Sequence, residues 1–564
     1  MINTNRFCVK LFLLTAFVFW QSLLLAQQTY LPINSFTNYH ISRLDIAGIT
    51  DGFNTSLRPI SRENLNRLSP TLAQSGLVKN SLRYFKTELY EYPSNDTAEF
   101  NKNLDFNSAG KRKVFYKTPM ALYSQKMKDF TLMINPVIGF AGGRDLSDNN
   151  NTHQLTGGIE LRGMIDRKVG FYSLITKNYI QFPTYINQMV DSSGVIAGEG
   201  YHVNEGDERF FKARGYFTFS PTRHIGLQFG QDQNFIGNGY RSLVLSNHSK
   251  DYLFLKVNTK IWKLNYQNLF TQITDYTRQS ATGKGIKPKF FVNHYLGIKL
   301  FKNLEIGVFE SIIFDRSDSV KKGYFDLNYL NPIIFYEAVE NDLNSSDNVI
   351  LGGDWKWNFL QRFSFYGQLV LDEFNRKELS KRSKWWANKY AIQAGLKYIN
   401  AFTIKGLDLQ VEYNLARPYT YSHFKRSQNY VNYNQPLAHP LGANFKELLG
   451  IIKYQPSYKL FVETGLFYIV KGLDSSSKTK HFGGNILETY GKRPYEYGHN
   501  IAQGVNTNYS MAFLHVSYMA YHNIWLDARA NIRLVKSDLT SFNSESSWFQ
   551  LGLRMNLSMR DYDF

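Results

Sequence analysis

His439, followed by Asn444 and Glu447, is the one place where this sequence groups a histidine, an amide and a carboxylate as a rim hydrolase would. Such a grouping could make a general base, or it could be a structural loop histidine, the commoner use of such a residue. Other catalytic patterns fail on spacing. Neither HExxH nor GxSxG occurs. Gly237-Asn238-Gly239-Tyr240-Arg241-Ser242 places serine where a dinucleotide fingerprint needs its third glycine, and no βαβ pattern surrounds it. His423 and His439 share a segment without metal-ligand spacing. Asp372 and Glu373 are adjacent, so on a strand they point to opposite faces and make a poor acid–base pair. The expectation is a protein without catalytic residues, cofactor or metal.

Binding chemistry is better represented. Aromatic rings cover the apolar faces of sugars, while amides, carboxylates and arginines bond hydroxyl and carboxyl groups. Candidates fall in four segments: Asp232, Gly237, Gly239 and Tyr240 in 231–250, Asn331, Asp347 and Asn348 in 315–348, Trp385 and Trp386 in 375–388, and Arg417, Tyr419, Tyr421, His439 and Asn444 in 417–444. Either these residues read a glycan or they brace loops packed on themselves. Asn331, Asp347 and Asn348 suit bracing, since Asn-Pro and Asp-Asn are ordinary loop chemistry. Trp385-Trp386 reads as an exposed pair, and 333–341 as a short helix after Pro332 that could fold into a mouth as a plug.

The elements that position these segments are strands. From residue 129 onward apolar and polar side chains alternate with period two. The pattern predicts strands over 129–140, 153–166, 168–177, 210–219, 224–230, 251–258, 261–273, 290–300, 304–314, 349–359, 363–374, 389–399, 406–416, 444–455, 459–470, 506–519, 524–536 and 548–559, which is eighteen. Links between them alternate between a few residues and long segments, the asymmetry of periplasmic turns and extracellular loops. The last strand carries Phe549, Leu551, Leu553, Met555, Leu557 and Met559 on one face and Arg554 on the other, before a final Phe564. It is long enough for the ~9–11 residues of a tilted spanning strand. The fold class is therefore all-β: a closed antiparallel transmembrane barrel in the bacterial outer membrane, spanning 112–564. A stack of soluble β-domains is the competing architecture, and a diffusive porin the competing barrel.

Residues 1–26 read as a secretory signal, with Arg6 and Lys10 before an apolar core. Cys8, the only cysteine, precedes that core, so the exported chain would have no thiol chemistry. Residues 27–111 do not alternate. A capped start at 61–65 and the stripe Val78, Leu82, Phe85 and Leu89 predict a small periplasmic helical region. The formal charge of +19 suits lipopolysaccharide phosphates or anionic glycans better than nucleic acid, which an exported protein rarely meets.

Several short motifs occur together in order: Phe229-Gly230 with Gly237-Asn238-Gly239, Asn331-Pro332, Asp347-Asn348 with Gly352, Gln368 with Asp372-Glu373, and 436–444. In this the chain resembles the Wzi-type capsule-assembly family over 110–564, in particular its Bacteroidota branch, which includes the gliding-motility protein RemB. The resemblance implies an eighteen-stranded outer-membrane barrel that binds capsular polysaccharide without catalysis. Its alternative implication is a component of a gliding or surface-adhesion apparatus acting through protein partners.

Overall fold

The computed structural model describes residues 29–50, 54–64, 80, 81, 84, 121–127, 129–166, 168–199, 208–276, 286–316, 323–336, 347–474, 480–560 and 562–564. The expected signal and the stripe from Val78 to Leu89 lie outside the described residues. Eighteen antiparallel strands close into one barrel. They are β1 Phe130–Asp145, β2 Asn150–Ile165, β3 Val169–Gln181, β4 Glu208–Phe219, β5 Ile225–Asp232, β6 Tyr252–Ile261, β7 Leu264–Asp275, β8 Lys287–Phe301 and β9 Leu304–Phe314. The circuit continues with β10 Asn348–Phe359, β11 Phe363–Glu373, β12 Lys389–Tyr398, β13 Leu407–Ala416, β14 Phe445–Tyr454, β15 Leu460–Leu473, β16 Val505–Tyr521, β17 Ile524–Ser537 and β18 Ser544–Met555. Each overlaps its expected span.

Period-two alternation decides which residues meet lipid. On β18, Phe549, Leu551 and Leu553 are exposed on the outer wall, while Arg554 turns inward and its Nε donates to Asp527 at 2.7 Å. Short turns cluster on one rim, where Trp262, Leu360 and Phe402 form part of an apolar edge. Leu360 and Gln361 both have φ of 53°, the left-handed pair of a type I′ turn, which matches strand twist. Long segments leave the other rim, apart from the tight β1–β2 and β17–β18 connections beside the seam. A closed barrel with this outward apolar band is an outer-membrane architecture.

The seam departs from expectation. β18 pairs with β1 from Trp548 opposite Asp145 to Met555 opposite Ile138, and there the ladder stops. The next hydrogen-bonded pair along the register would set Leu557 opposite Pro136, which has no N–H to donate. Below it, the edge of β1 is taken by a short strand, Tyr123–Lys126, paired with residues 131–134. Asn556, at φ 51°, donates its side chain to Pro136 O, and the chain turns inward. Leu557 and Met559, expected to face lipid, therefore lie in the lumen, where Leu557 packs over Gly139. The segment runs on through Arg560, bonded to Asn178 at 2.7 Å, and Tyr562, packed on Phe182, to Phe564 against His248.

The amino-terminal region is also luminal where it is described. Helix α1, Phe36–Ile46, sits inside the short-turn end with Phe36 against Phe461 and Trp525 at 4.9 and 5.0 Å. Arg43 meets Asp408 of β13 at 3.5 Å. Lys356 of β10 bridges Asp45 at 2.9 Å and Glu305 at 2.8 Å. Leu57-Arg58 then pairs with Phe235-Ile236 deep in the barrel. The region expected to hang in the periplasm is, over 29–50 and 54–61, a stopper in the barrel's lower half.

Removing one partner of such a buried ion cluster strands the others and costs about 3–5 kcal/mol. Lys356→Met should lower the urea midpoint of the detergent-solubilised protein and release α1 and its flank 54–61 to added protease, while the heat-modifiable barrel band persists on gels.

Candidate functional site

Above α1 the lumen is filled by two long segments that fold back from the extracellular rim. Residues 233–251 contribute Ile236, Leu243, Val244 and Leu245, and residues 417–444 contribute Tyr421, Tyr430, Val431, Leu437, Ala438, Leu441 and Ala443 to one buried core with inward side chains of β6 to β15. Residues 333–336 take no part in this plug. They lie on the outer wall, so the part of the expected helix that is described does not close the mouth, and 337–341 lie outside the described residues.

The wall holds the plug by a row of polar side chains. Gln368 of β11, Gln393 of β12, Asn414 of β13 and Glu447 of β14 are register partners across four adjacent strands, all facing inward. Gln368 accepts from Leu243 N at 2.7 Å and donates to Ile236 O at 3.0 Å. Gln393 donates to Arg241 O at 3.0 Å. Glu412, one pleat below Asn414, accepts the N–H groups of Tyr240 and Arg241 at 2.7 and 3.1 Å and the Tyr366 hydroxyl at 2.7 Å. This docking explains the glycines. Gly237 has φ of 131°, and a Cβ on Gly239 would stand 2.7 Å from the Glu412 carboxylate.

Most predicted site residues brace this assembly. Asp232 faces Arg214 at 3.5 Å and caps the N–H of Gln233 at 2.8 Å. The Tyr240 hydroxyl donates to Asp563, and the Arg241 guanidinium lies 3.3 Å from Asp563 and 3.5 Å from Glu447, which raise its pKa. Asp347 receives Arg316 at 2.8 and 2.7 Å and Gln428 at 2.9 Å, while Asn348 donates to Gln428 O. Tyr421 donates to Leu243 O at 2.7 Å. Arg417 donates to the carbonyls of Trp385 and His499, both at 3.3 Å. Asn444 joins 417–444 to β15 and to 480–504 through Ala502 N at 2.8 Å, Gln503 N at 3.2 Å, Gly472 O at 3.1 Å and Gln503 O at 2.9 Å. Asn331 stands apart on the outer wall and accepts from Ile333 N.

His439 Nε2 does meet Glu447, at 2.8 Å, but neither side chain has any solvent exposure. A substrate has no access to that pair, and it ties the plug to β14. Asp372 and Glu373 do not diverge as expected. The register shifts between Leu371 and Glu373, and this bulge lets Lys389 meet Asp372 at 2.9 Å and Glu373 at 3.1 Å.

The outer surface of the plug differs in kind. Residues 374–388, 423–429 and 480–500 join into one platform: Trp386 N donates to Glu496 O at 3.0 Å and His499 N to Lys384 O at 3.0 Å. Trp386 is not exposed as expected. It is buried against Tyr490 at 4.6 Å, with Arg493 stacked 4.2 Å over its ring and Tyr419 beneath. Trp385 is half-buried beside it. Phe424, Tyr495 and Tyr497 are exposed by 66%, 43% and 56%, and Phe374 is exposed at the edge, so the surface offers accessible rings. Lysine and arginine outnumber aspartate and glutamate ten to three across these segments, which favours an anionic partner. The sequence reading missed Phe424, Tyr490, Arg493, Tyr495 and Tyr497. The signal for Arg493, Tyr495 and Tyr497 was the run Arg493-Pro494-Tyr495-Glu496-Tyr497 in the longest link, while Phe424 and Tyr490 had none. No metal-ligand cluster occurs among the described residues.

Burial holds His248 down to about 3 and His423 down to about 4, and depresses His439 although Glu447 opposes the shift. When these loops open, the histidines regain an ordinary pKa near 6.5. The opened form then binds more protons below that pH, so the histidines' contribution is complete above about pH 6.5 and falls as the pH drops toward 4. Amide exchange in 233–251 and 417–444 should accelerate between pH 7.5 and 5, once corrected for the intrinsic pH dependence of exchange. His439→Gln should weaken that acceleration.

Comparison with known proteins gives a likeness of fold. The sequence matches no family model and no curated protein. The structure is similar to Wzi of Escherichia coli, described as an outer membrane protein involved in group 1 capsule assembly and a carbohydrate-binding β-barrel. The TM-score is 0.54 at 14% identity, over 95% of this chain and all of that one (100%). The outer membrane protein OprD of Pseudomonas aeruginosa superposes at TM-score 0.40 and 10% identity, over 77% of this chain and 94% of that one. OccK8 of the same organism gives 0.42 and 9%, over 76% and 98%.

Proposed function

We propose that this barrel is a non-enzymatic surface protein that holds or organises anionic cell-surface polysaccharide, such as capsule, on its extracellular platform. The observation that carries the reading is the division of the loops into two layers. The inner layer is a braced plug whose polar groups bond one another. The outer layer sets Phe424, Tyr495 and Tyr497 at the surface amid Arg376, Lys381, Arg382, Lys425 and Lys492. Rings can cover the apolar faces of sugars, and the surrounding cations complement carboxylates or other charges on the chain. The likeness to Wzi supports the same reading. A filled lumen argues against a diffusive porin, and a buried His439–Glu447 pair against a rim hydrolase.

The test uses the full-length, detergent-solubilised protein as bait for surface polysaccharide purified from its own cells. The wild type should retain the polymer, with retention weakening as salt rises. The Phe424→Ala/Tyr495→Ala/Tyr497→Ala variant should lose about tenfold or more, a change of about 1.4 kcal/mol, with an unchanged melting temperature. Equal retention by the triple variant would sink the platform as the site. Retention of no polymer by the wild type would leave a role in surface adhesion or gliding through protein partners. In planar bilayers the wild type should show no steady single-channel conductance.

A further inference from the structure

Between β9 and β10 the chain does something a surface loop does not ordinarily do. Residues 323–336 lie against the outside of the barrel. Phe325 packs edge-on against Phe290 and Phe314 at 5.4 and 5.5 Å, and Tyr329 stacks flat on Phe314 at 4.0 Å. These wall residues belong to the outward set of their strands, the set that includes the exposed Leu264 of β7 and Ile306 of β9. The segment also reaches well down the wall. The Tyr266 hydroxyl, two residues from the short-turn end of β7, donates to Pro332 O.

Beneath the segment lies a polar row. Asn268, His294 and Glu310 are direct register partners on β7, β8 and β9 and face outward at mid-wall. They are nevertheless buried, at 4%, 1% and 0% exposure. His294 Nδ1 bonds Asn268 Oδ1 at 2.6 Å, and Glu310 accepts the N–H of Phe335 at 2.8 Å. A bare carboxylate row at this depth would face hydrocarbon, which is costly.

The far side of the segment is apolar and open. Leu327 and Ile333 are 73% and 61% exposed, and Leu330, Phe335 and Tyr336 are exposed beside them. Irregular backbone is tolerated at membrane depth only where its polar groups are satisfied. Here the N–H groups of Asn328, Tyr329, Asn331, Ile333, Phe335 and Tyr336 all donate within the protein, and Pro332 has none. Arg316, bonded to both Asp326 and Asp347, clamps the segment at its upper end.

We infer that residues 323–336 form a membrane-embedded strap that lies over the Asn268–His294–Glu310 row and presents Leu327, Leu330 and Ile333 to lipid acyl chains. The occupant is lipid because the strap's open side continues the barrel's own lipid-facing surface and because six of its backbone N–H groups already donate to acceptors within the protein.

The test places an environment-sensitive fluorophore on the full chain carrying Cys8→Ser with Ile333→Cys, or with Leu330→Cys, reconstituted in phosphatidylcholine vesicles. Reference labels sit at Ile306→Cys on the wall and Phe424→Cys on the platform. Labels at 330 and 333 should show blue-shifted emission, lose fluorescence to acyl-chain nitroxide lipids as strongly as the label at 306, and resist aqueous iodide. The label at 424 should do the reverse. Quenching of positions 330 and 333 by iodide would overturn the strap. Protection from both quenchers would also overturn it, in favour of a protein covering this face.

Discussion

A closed wall of eighteen strands encloses a lumen far wider than its own inward side chains can fill. Four described segments from different places in the sequence enter the cylinder: α1 and its flanks from the short-turn end, the loops 233–251 and 417–444 from the other rim, and residues 556–560 with 562–564 from the wall itself. Each alone would leave polar backbone facing a cavity. Together they bury one another, and Arg241 marks the junction, touching Asp563 of the last segment and Glu447 of the wall while its own backbone rests on Glu412.

The filling is not an oil drop. Apolar residues supply bulk, but position comes from polar side chains aimed inward at defined heights. Gln368, Gln393 and Glu412 take backbone groups of residues 236–243 one at a time, so the plug can dock at one depth and one rotation. Leaving any such group unmatched in a closed interior costs more than its bond contributes, which makes misdocked arrangements expensive. The rigidity this confers passes upward. Asn444 and Arg417 connect the plug to the segments carrying Trp385, Trp386 and Tyr495, so the exposed rings stand on a braced base.

The wall was legible in the sequence because strand alternation is a local signal that repeats with each pass through the membrane. The eighteen spans, the inward Arg554 and the two unequal rims all follow from it. What failed was set by pairing. Pro136 ends the β1–β18 ladder, yet its effect on Leu557 and Met559, far away in sequence, is visible only once those strands are neighbours. The bulge at Asp372 reverses a side chain that strict alternation sends outward. Residues 333–341 read as a plug because apolar residues in a loop suit burial in a mouth or against an outer wall equally well. The site was legible in composition and illegible in layer: Tyr419, Tyr421, His439 and Asn444 have the chemistry of a glycan reader but are buried as braces, while Tyr495 and Tyr497 carry the same chemistry at the surface.

The filled lumen has a consequence for the cell that carries it. An open pore of this diameter limits how many copies an outer membrane can tolerate, since each one adds a leak for antibiotics, bile salts and other small solutes. A stoppered barrel adds surface area without permeability. Its abundance is then not limited by leakage, and a dense array of such barrels leaves the permeability barrier as it was.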